Sequence, residues 1–485
     1  MLQNKDIKNL SELKMTFVRK HKKSEFFTNF IEVLKIGKYH SVFSSVKQKG
    51  ISSLLLIRIL ISFPFIDQRS VHGFTGSYWN RFAGFGKDAY YRLKNNPGIN
   101  WRVFLTGVAK QVSDILKEKG IATNINASAV RAFVFDDTTI AKTGYAIEGV
   151  SRIWNHVIHK SILGYQLLVM GFYDGSMFIP VNFSFHREKG KNKKNIFGLK
   201  PKYYKKQHKK KRDKGSFGAE RKKELDITKI AAVVKMIKYA VKKGITADYV
   251  LTDSWFSCRE VVESSIENRL KFIGMFSKVR TLFTYNNKKL TYKEIRRLNK
   301  KHIKRSKRFN LYYIRTVVDW KGQKVVLYFT RRGKRGNWKT IISTDLKLNF
   351  NETVEVYQIR WSIEVFFKES KQMLGLGKSQ SNDFDAQIAD TTIVMVQYIF
   401  LALRNRIDKY ESLGKLFENT KADIIEARLQ ERLIALLIAI LDVIATLFEQ
   451  LDEQDIIEKV INDEQAFEKI RLLIGPPGNS PKRVA

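Results

Sequence analysis

The chain contains a single cysteine, Cys258, in 485 residues. Internal disulfides and Cys-rich zinc modules are thereby excluded, and a reducing, cytoplasmic setting is expected. Long apolar runs are missing too. "IVMVQYIFLAL" and "LIALLIAIL" fall short of the roughly 20 residues a bilayer-spanning helix needs and are expected as buried helices, with no membrane partner. The opening "MLQNKDIKNLSELKM" has no apolar core of signal-peptide type. Acids are the third shortage: 47 Asp and Glu face 88 Lys and Arg, for a formal net charge of +41. Such a field suits a polyanion, DNA or RNA ahead of an anionic membrane surface.

The positive excess is uneven. From Glu411 to Ile470 acids outnumber bases, so the cationic surface belongs to the rest of the chain. A hydrophobic share of 44% is ordinary for folded domains, and the length allows two to four of them.

Residues 1–125 read as a helical region. "SSLLLIRILISF" is a buried helix, and "GKDAYYRLKNNPGINWRVFLTGVAKQVSDIL" is two helices broken at Asn95–Gly98. Lys87, Tyr90, Tyr91, Arg92 and Arg102 mix bases with aromatics there, as a DNA-contacting module would; a solvated helix surface is the alternative. The period then changes. "RAFVFDDTTI" is an apolar strand running into two acids, and "SILGYQLLVMGFYDGSMFIPVNFSF" is a hairpin turning at Asp174–Gly175. The basic segment 187–223, with "KKQHKKKRDKG", is expected to be a mobile loop. "ELDITKIAAVVKMIKYAVKKG" is a helix, "ADYVLTDSWFS" a strand delivering another acid, and 270–345 a strand-rich block with a turn at Lys321–Gly322. Residues 126–410 form the catalytic region on this reading, and 411–485 a helical, acidic one suited to dimerisation.

Two strand ends thus supply Asp136 with Asp137, and Asp253. A later stretch, "YQIRWSIEVFFKESKQMLGL", supplies Glu364 together with Tyr357, Arg360 and Lys371 at helical spacing on one face. Carboxylates from two strands and a helix are what two-metal phosphoryl transfer requires, with ions roughly 4 Å apart activating the attacking and leaving oxygens. Magnesium takes a few carboxylates plus water and phosphate, so three acids suffice. Singly, each signal has a plain reading. An aspartate after a strand forms turns, and an exposed Arg360–Glu364 pair at i,i+4 is worth only about 0.5 kcal/mol. His156 and His159, three apart and without Cys or Glu neighbours, read as strand-face residues rather than metal ligands.

The spacing Y-(2)-R-(3)-E-(6)-K from Tyr357 to Lys371 resembles the signature of bacterial DDE transposases of the IS-four insertion-sequence family, with no departure in spacing. Trp361 and "IEVFFK" add to the match; "DDTTIAKTG" and "YVLTDSWFS" resemble the family's first and second aspartate motifs, in its order. The resemblance implies an α/β, RNase H-like catalytic core with a β-rich insertion at about 270–345, flanked by helical regions. It implies Asp136, Asp253 and Glu364 as ligands of two Mg2+ ions, with Mn2+ able to substitute. Asp137 is the runner-up for Asp136, because D-T-T also fits a shifted register.

Tyr357, Arg360 and Lys371 would hold phosphates near the cut, and Trp361 would stack on an extruded base or be structural. The implied activity is cut-and-paste transposition by a homodimer on the bacterial nucleoid. It would act on double-stranded DNA, at terminal inverted repeats and target sites, through nicking, hairpin formation, opening and strand transfer. The rivals are an inactive DNA-binding relative and another RNase H-like nuclease, such as a resolvase or an RNA–DNA hybrid nuclease.

Overall fold

A computed structural model describes residues 39–44, 50–77, 80, 85–118, 129–190, 192–408, 413–419 and 421. The acidic region expected from 411 onward, including "LIALLIAIL", lies almost entirely outside the described residues, as does the N-terminal 1–38. The chain divides into two compact units. Of the smaller, the described part is residues 62–70, 414–419 and 421, where Phe65 and Phe417 lie 5.7 Å apart and Lys421 pairs with Asp67 at 3.1 Å. The larger, 34–61 with 71–413, holds the sheet and everything that follows.

Twelve strands form one mixed sheet: β1 Ala132–Ala141, β2 Ser151–Asn155, β3 Lys160–Tyr173, β4 Phe178–His186, β5 Tyr249–Thr252, β6 Lys271–Met275, β7 Leu282–Tyr285, β8 Lys288–Thr291, β9 Lys304–Ser306, β10 Leu311–Trp320, β11 Gln323–Arg332 and β12 Lys339–Ser343. Their order is β2-β3-β1-β5-β6-β12-β11-β10-β7-β8, with β4 beside β3 and β9 beside β10. β1, β5 and β6 are parallel, and the remaining pairings are antiparallel. The parallel strands need crossovers, and helices provide them.

The β3–β4 hairpin closes as expected. Asp174 Oδ1 accepts from the backbone N–H groups of Ser176 and Met177 at 2.9 Å, and Gly175 takes φ +108°. The β10–β11 turn is Lys321–Gly322, both at positive φ (54° and 91°), the two-residue geometry that matches strand twist. His156 and His159 fall in the β2–β3 turn rather than on a strand face, His159 at φ 49°.

The helices used below are α1 Lys87–Lys94, α2 Trp101–Glu118, α3 Phe217–Lys223, α4 Lys229–Lys242, α5 Arg259–Glu267, α6 Tyr292–Leu298, α7 Phe350–Gln358, α8 Trp361–Gln372 and α9 Phe384–Asp408. The α1–α2 break falls where Asn95–Gly98 predicts it. α2 packs on β4, where Thr106 Oγ1 donates to Val181 O at 3.0 Å. Two of the aromatic and basic residues expected to face DNA are structural instead. Tyr90 is fully buried, and Arg102 is spent on Glu224 at 2.6 Å and Asn182 at 3.0 Å. Lys87, Tyr91 and Arg92 remain exposed.

α4 begins at the N-cap Thr228, whose hydroxyl accepts from Ala231 N, and ends before Gly244 at φ +79°. α9 is longer than the apolar run read within it. It is long and apolar enough to cross a membrane by length and composition, yet its window is 94% buried inside the protein, as a core helix is. Its Gln397 donates to the carbonyls of Leu60 and Ile61 at 3.1 and 3.2 Å, satisfying the end of the apolar Ser53–Ser62 helix.

The basic segment 187–223 is not a solvated loop throughout. It carries the short helix Pro201–Lys205 and α3. The segment is anchored by Gln207, donating to Val150 O at 2.8 Å, and by the buried Arg212. Sequence composition sees only charge here; the burial of the Arg212 side chain, with the half-buried Lys210, among Glu148, Asp383 and Asp385 is a tertiary event.

Candidate active site

β1 and β5 pair in parallel register from Ala132–Tyr249 to Phe135–Thr252. The next residues are Asp136 and Asp253, so the two aspartates come forward side by side on neighbouring strands, whose spacing is about 4.8 Å. There the strands part. β5 ends and turns, while β1 continues to Ala141 with β3 as its partner. The first pair of acids therefore sits within a strand, not at its end as the apolar pattern suggested. The strand continues because Thr138, Thr139 and Ile140 pair with β3 residues Leu167, Gln166 and Tyr165.

The turn after β5 is fixed by its own polar groups. Asp253 Oδ1 accepts from Trp255 N at 3.0 Å and Phe256 N at 3.2 Å, and Ser257 Oγ donates to Asp253 O at 2.9 Å. Phe256 is wholly buried. Gly274 of β6 lies behind, where a Cβ would meet Ser257 Oγ at 2.2 Å; no larger residue fits.

The "YQIRWSIEVFFKESKQ" stretch forms two helices rather than one. α7 ends at Gln358 and α8 starts at Trp361, with Ile359 and Arg360 still in helical φ/ψ. The joint is tightened to i→i+3 bonds, Arg360 N to Tyr357 O at 3.1 Å and Ile363 N to Arg360 O at 3.3 Å. Arg360 thus sits at the entrance of α8, and its guanidinium turns into the site. Nη1 donates to Asp136 Oδ2 at 3.2 Å and Nη2 to Glu364 Oε1 at 2.6 Å. The Arg360–Glu364 pair is therefore not the exposed surface bridge of the plain reading, since the arginine side chain is only 10% accessible. Arg360 Nε is buried without a hydrogen-bond partner.

Lys371, at the far end of α8, donates to Thr138 Oγ1 at 2.6 Å. Asp136 and Thr138 share a face of β1, and α8 packs against that strand. Asp137 points the other way and pairs with Lys229 of α4 at 2.9 Å. Tyr357 is buried beside Arg360, its ring 5.8 Å from the guanidinium. Trp361 and Val365 are exposed, and Arg360 lies 5.4 Å from the Trp361 ring. The structure so gathers Asp136, Tyr357, Arg360, Glu364 and Lys371 around β1 and α8, with Asp253 alongside and Asp137 on the opposite face.

Electrostatics follow from that crowding. Burial, then the neighbouring charge of Asp253, pushes the Asp136 carboxyl up to about 7, against the lowering influence of Asp137 N–H and Arg360. Burial also raises Asp253 and the Tyr357 phenol, and lowers Lys371.

Two groups escaped the sequence reading. Lys229 reaches both Asp137 and the face of Trp255, 4.2 Å from the ring centroid. Trp255 itself is exposed two residues after Asp253. "TDSWFS" carried the signal for the tryptophan; nothing local marks Lys229.

Among the described residues no three His, Cys, Asp or Glu side chains converge into a ready-made metal cage. The donors nevertheless suit a hard divalent cation, being carboxylates free of Cys and His. Asp136 and Asp253 are desolvated side by side, a deficit of positive charge that such an ion offsets. Arg360 bridges Asp136 and Glu364 in this state and supplies part of that charge.

Two acids carried forward side by side from neighbouring parallel strands, beside a helix-borne glutamate, are an arrangement suited to a nuclease. The chain matches the profile of the DDE superfamily endonucleases over residues 66–322, more than half its length, and belongs to that family. The matched span includes Asp136 and Asp253; Glu364 lies beyond it. The mixed α/β sheet with its flanking helices agrees with a DDE nuclease fold. No curated protein matches the sequence.

Proposed function

We propose that the protein is a cut-and-paste DNA transposase of the IS-four type with an RNase H-like core, acting in the cytoplasm as a dimer on the inverted repeats of its element. The observation that carries this is the meeting of Asp136, Asp253 and the Arg360–Glu364 pair at one point of the sheet. Membership of the DDE endonucleases supports the nuclease chemistry. The Y-(2)-R-(3)-E-(6)-K spacing supports the transposase among the alternatives.

Asp136, Asp253 and Glu364 are the residues that would hold two magnesium ions, which when bound activate the attacking water or 3′-hydroxyl and stabilise the leaving oxygen. The chain's own groups do the rest. Arg360 offers a planar fork suited to a phosphate once it releases the carboxylates. Lys371, desolvated against β1, supplies a point charge to the same backbone. Tyr357 is buried beside the guanidinium, its ring 5.8 Å away, and Trp361 offers an exposed ring for an unstacked base. Each step is an in-line displacement at phosphorus, so a single site can nick, close a hairpin, open it and join the end to target DNA.

The test is a denaturing-gel time course with a duplex carrying the element's end. Nicks, then hairpins, then strand-transfer products in magnesium support the proposal. Nicks without hairpins or joined products would leave a simple DDE nuclease, and binding without cleavage an inactive relative.

A further inference from the structure

The strand-rich block carries a feature that the catalytic site does not use. From Arg296 to Lys339 the chain has sixteen Lys and Arg against one acid, Asp319. At one end of this block the side chains form a row across three neighbouring strands and the residue that leads into a fourth. Arg305 of β9 pairs with Tyr312 of β10, and Tyr312 with Arg331 of β11. Thr330 pairs with Lys339, so Arg331 faces Trp338 one step beyond.

The row alternates cation and ring. Arg305 lies 5.8 Å and Arg331 5.7 Å from the Tyr312 ring; Arg331 lies 4.7 Å and Arg296 of α6 5.5 Å from the Trp338 ring. The rings hold the guanidinium groups in place, helped by Arg305 donating to Asn310 Oδ1 at 3.0 Å and Arg331 donating to the Lys334 carbonyl, and each guanidinium has further N–H groups beyond these bonds. Exposed Arg297, Lys304, Lys334 and Arg335 surround the row.

Its position is informative. Following the register outward from Asp253 leads through Met275, Ile341, Tyr328 and Arg315. The Arg–aromatic row lies three residues further along the same strands, at the end of the sheet that carries the aspartates, and the odd step turns Tyr312 and Arg331 to the opposite face. Between them the exposed Lys278 and Arg280 follow β6, with Lys278 donating to Trp255 O at 3.2 Å. Trp338 is three strands from β1 and Tyr312 five, roughly 15–25 Å across the sheet. That is roughly four to seven nucleotides of DNA at about 3.4 Å each.

From this placement and charge we infer that the row and its rim are a second phosphate-binding surface, gripping the backbone of duplex DNA a few base pairs from the cut without reading its sequence. The inference rests on DNA being the substrate, as proposed above. Guanidinium groups held in place favour a polyanion of regular phosphate spacing, and with a single acid in the block, and Arg308 paired to Glu355 outside it, a large positive excess remains.

The test replaces the exposed rim and leaves the stacked core intact: Lys304→Gln, Lys334→Gln and Arg335→Gln together in the full chain, with the melting temperature as a folding check. Binding to a duplex of about 40 base pairs, several times the roughly four to seven that separate the row from the cut, is titrated against salt and footprinted with hydroxyl radicals. The slope of log affinity against log salt should become shallower by roughly 0.9 for each phosphate no longer neutralised, up to about three phosphates. Protection should disappear roughly four to seven base pairs from the cut. Nicking of a duplex too short to reach the row should be unchanged. A variant that melts like the parent but keeps its slope and footprint would overturn the inference, leaving the row to an acidic protein or to closure of the sheet edge. Because binding is read without cleavage, an inactive parent would sink the transposase reading and not this one.

Discussion

Arg360 Nη1 reaches Asp136 Oδ2 at 3.2 Å across 224 residues of sequence, while the same guanidinium holds Glu364. A cation bound by these carboxylates must share them with the arginine or displace it. Removing the arginine leaves both acids short of positive charge, so Arg360→Ala should melt below the parent without metal. Breaking a buried pair costs about 3–5 kcal/mol, and the partial exposure of Glu364 puts this case at the low end. Magnesium should then raise the melting temperature of the variant more than that of the parent. Equal magnesium shifts would mean that arginine and metal do not compete for the same oxygens.

The opposite faces of β1 separate the two adjacent aspartates. Asp136→Asn and Asp253→Asn should each lower the nicking rate in magnesium by roughly a thousandfold or more, since the stabilisation removed is several kcal/mol. Asp137→Asn removes only the pair with Lys229 and should stay within about tenfold of the parent. Duplex binding by gel shift should survive in all three. Loss of nicking in Asp137→Asn with its retention in Asp136→Asn would shift the register by one residue.

The raised Asp136 carboxyl has a sign that can be checked. Its folded value of about 7 lies above the ordinary 3.8, so the native state holds this proton more tightly than the unfolded chain does. Between about pH 4 and 7 the group's contribution to stability therefore falls as pH rises, and the slope vanishes outside that window. In EDTA, Asp136→Asn should melt above the parent at pH 8, and the advantage should shrink towards pH 4. In the parent, magnesium affinity should rise with pH to about 7 and then level off, as ligand deprotonation completes. A pH-independent difference between the two proteins would refute the buried, proton-holding carboxyl.

Much of this site was legible because its parts are local. The apolar runs before Asp136 and Asp253 marked strands, and a turn of two residues at Lys321–Gly322 fixed the β10–β11 register. Helical spacing brought Arg360, Glu364 and Lys371 to one side, even though the helix is tightened at Ile359–Arg360. What was hidden depends on other elements. Asp136 lies inside β1 because β3 extends that strand, which the sequence of β1 alone does not encode. Tyr90 and Arg102 read as a DNA surface in sequence, but Tyr90 is buried against Phe74, and Arg102 is bonded to Asn182 of β4 and to Glu224. Lys229 joins the site only because α4 packs on β3 and β4, which brings its first side chain within reach of Asp137.

The basic segment gives the last prediction, and structure changes its form. Deleting 189–214 to test for phosphate binding would remove Arg212, whose side chain is 4% accessible. Arg212 is bound to Glu148 at 2.7 Å and Asp385 at 3.0 Å, themselves 6% and 3% accessible. Lys210 adds bonds to Asp383 at 2.7 Å and Asp385 at 2.8 Å. These bonds tie the segment to the β1–β2 connection and to the start of α9, so deletion would confuse folding with binding. Arg212→Ala leaves two buried carboxylates without their main partner and should cost about 3–5 kcal/mol. Replacing the exposed Lys193, Lys200, Lys205 and Lys209 by Gln should leave stability within about 0.5 kcal/mol. If those lysines touch DNA, the salt slope should become shallower by roughly 0.9 per phosphate they neutralise. Urea unfolding and salt-dependent gel shifts on the two variants separate the roles. An Arg212→Ala protein as stable as the parent would mean that the buried cluster does not hold the segment in place.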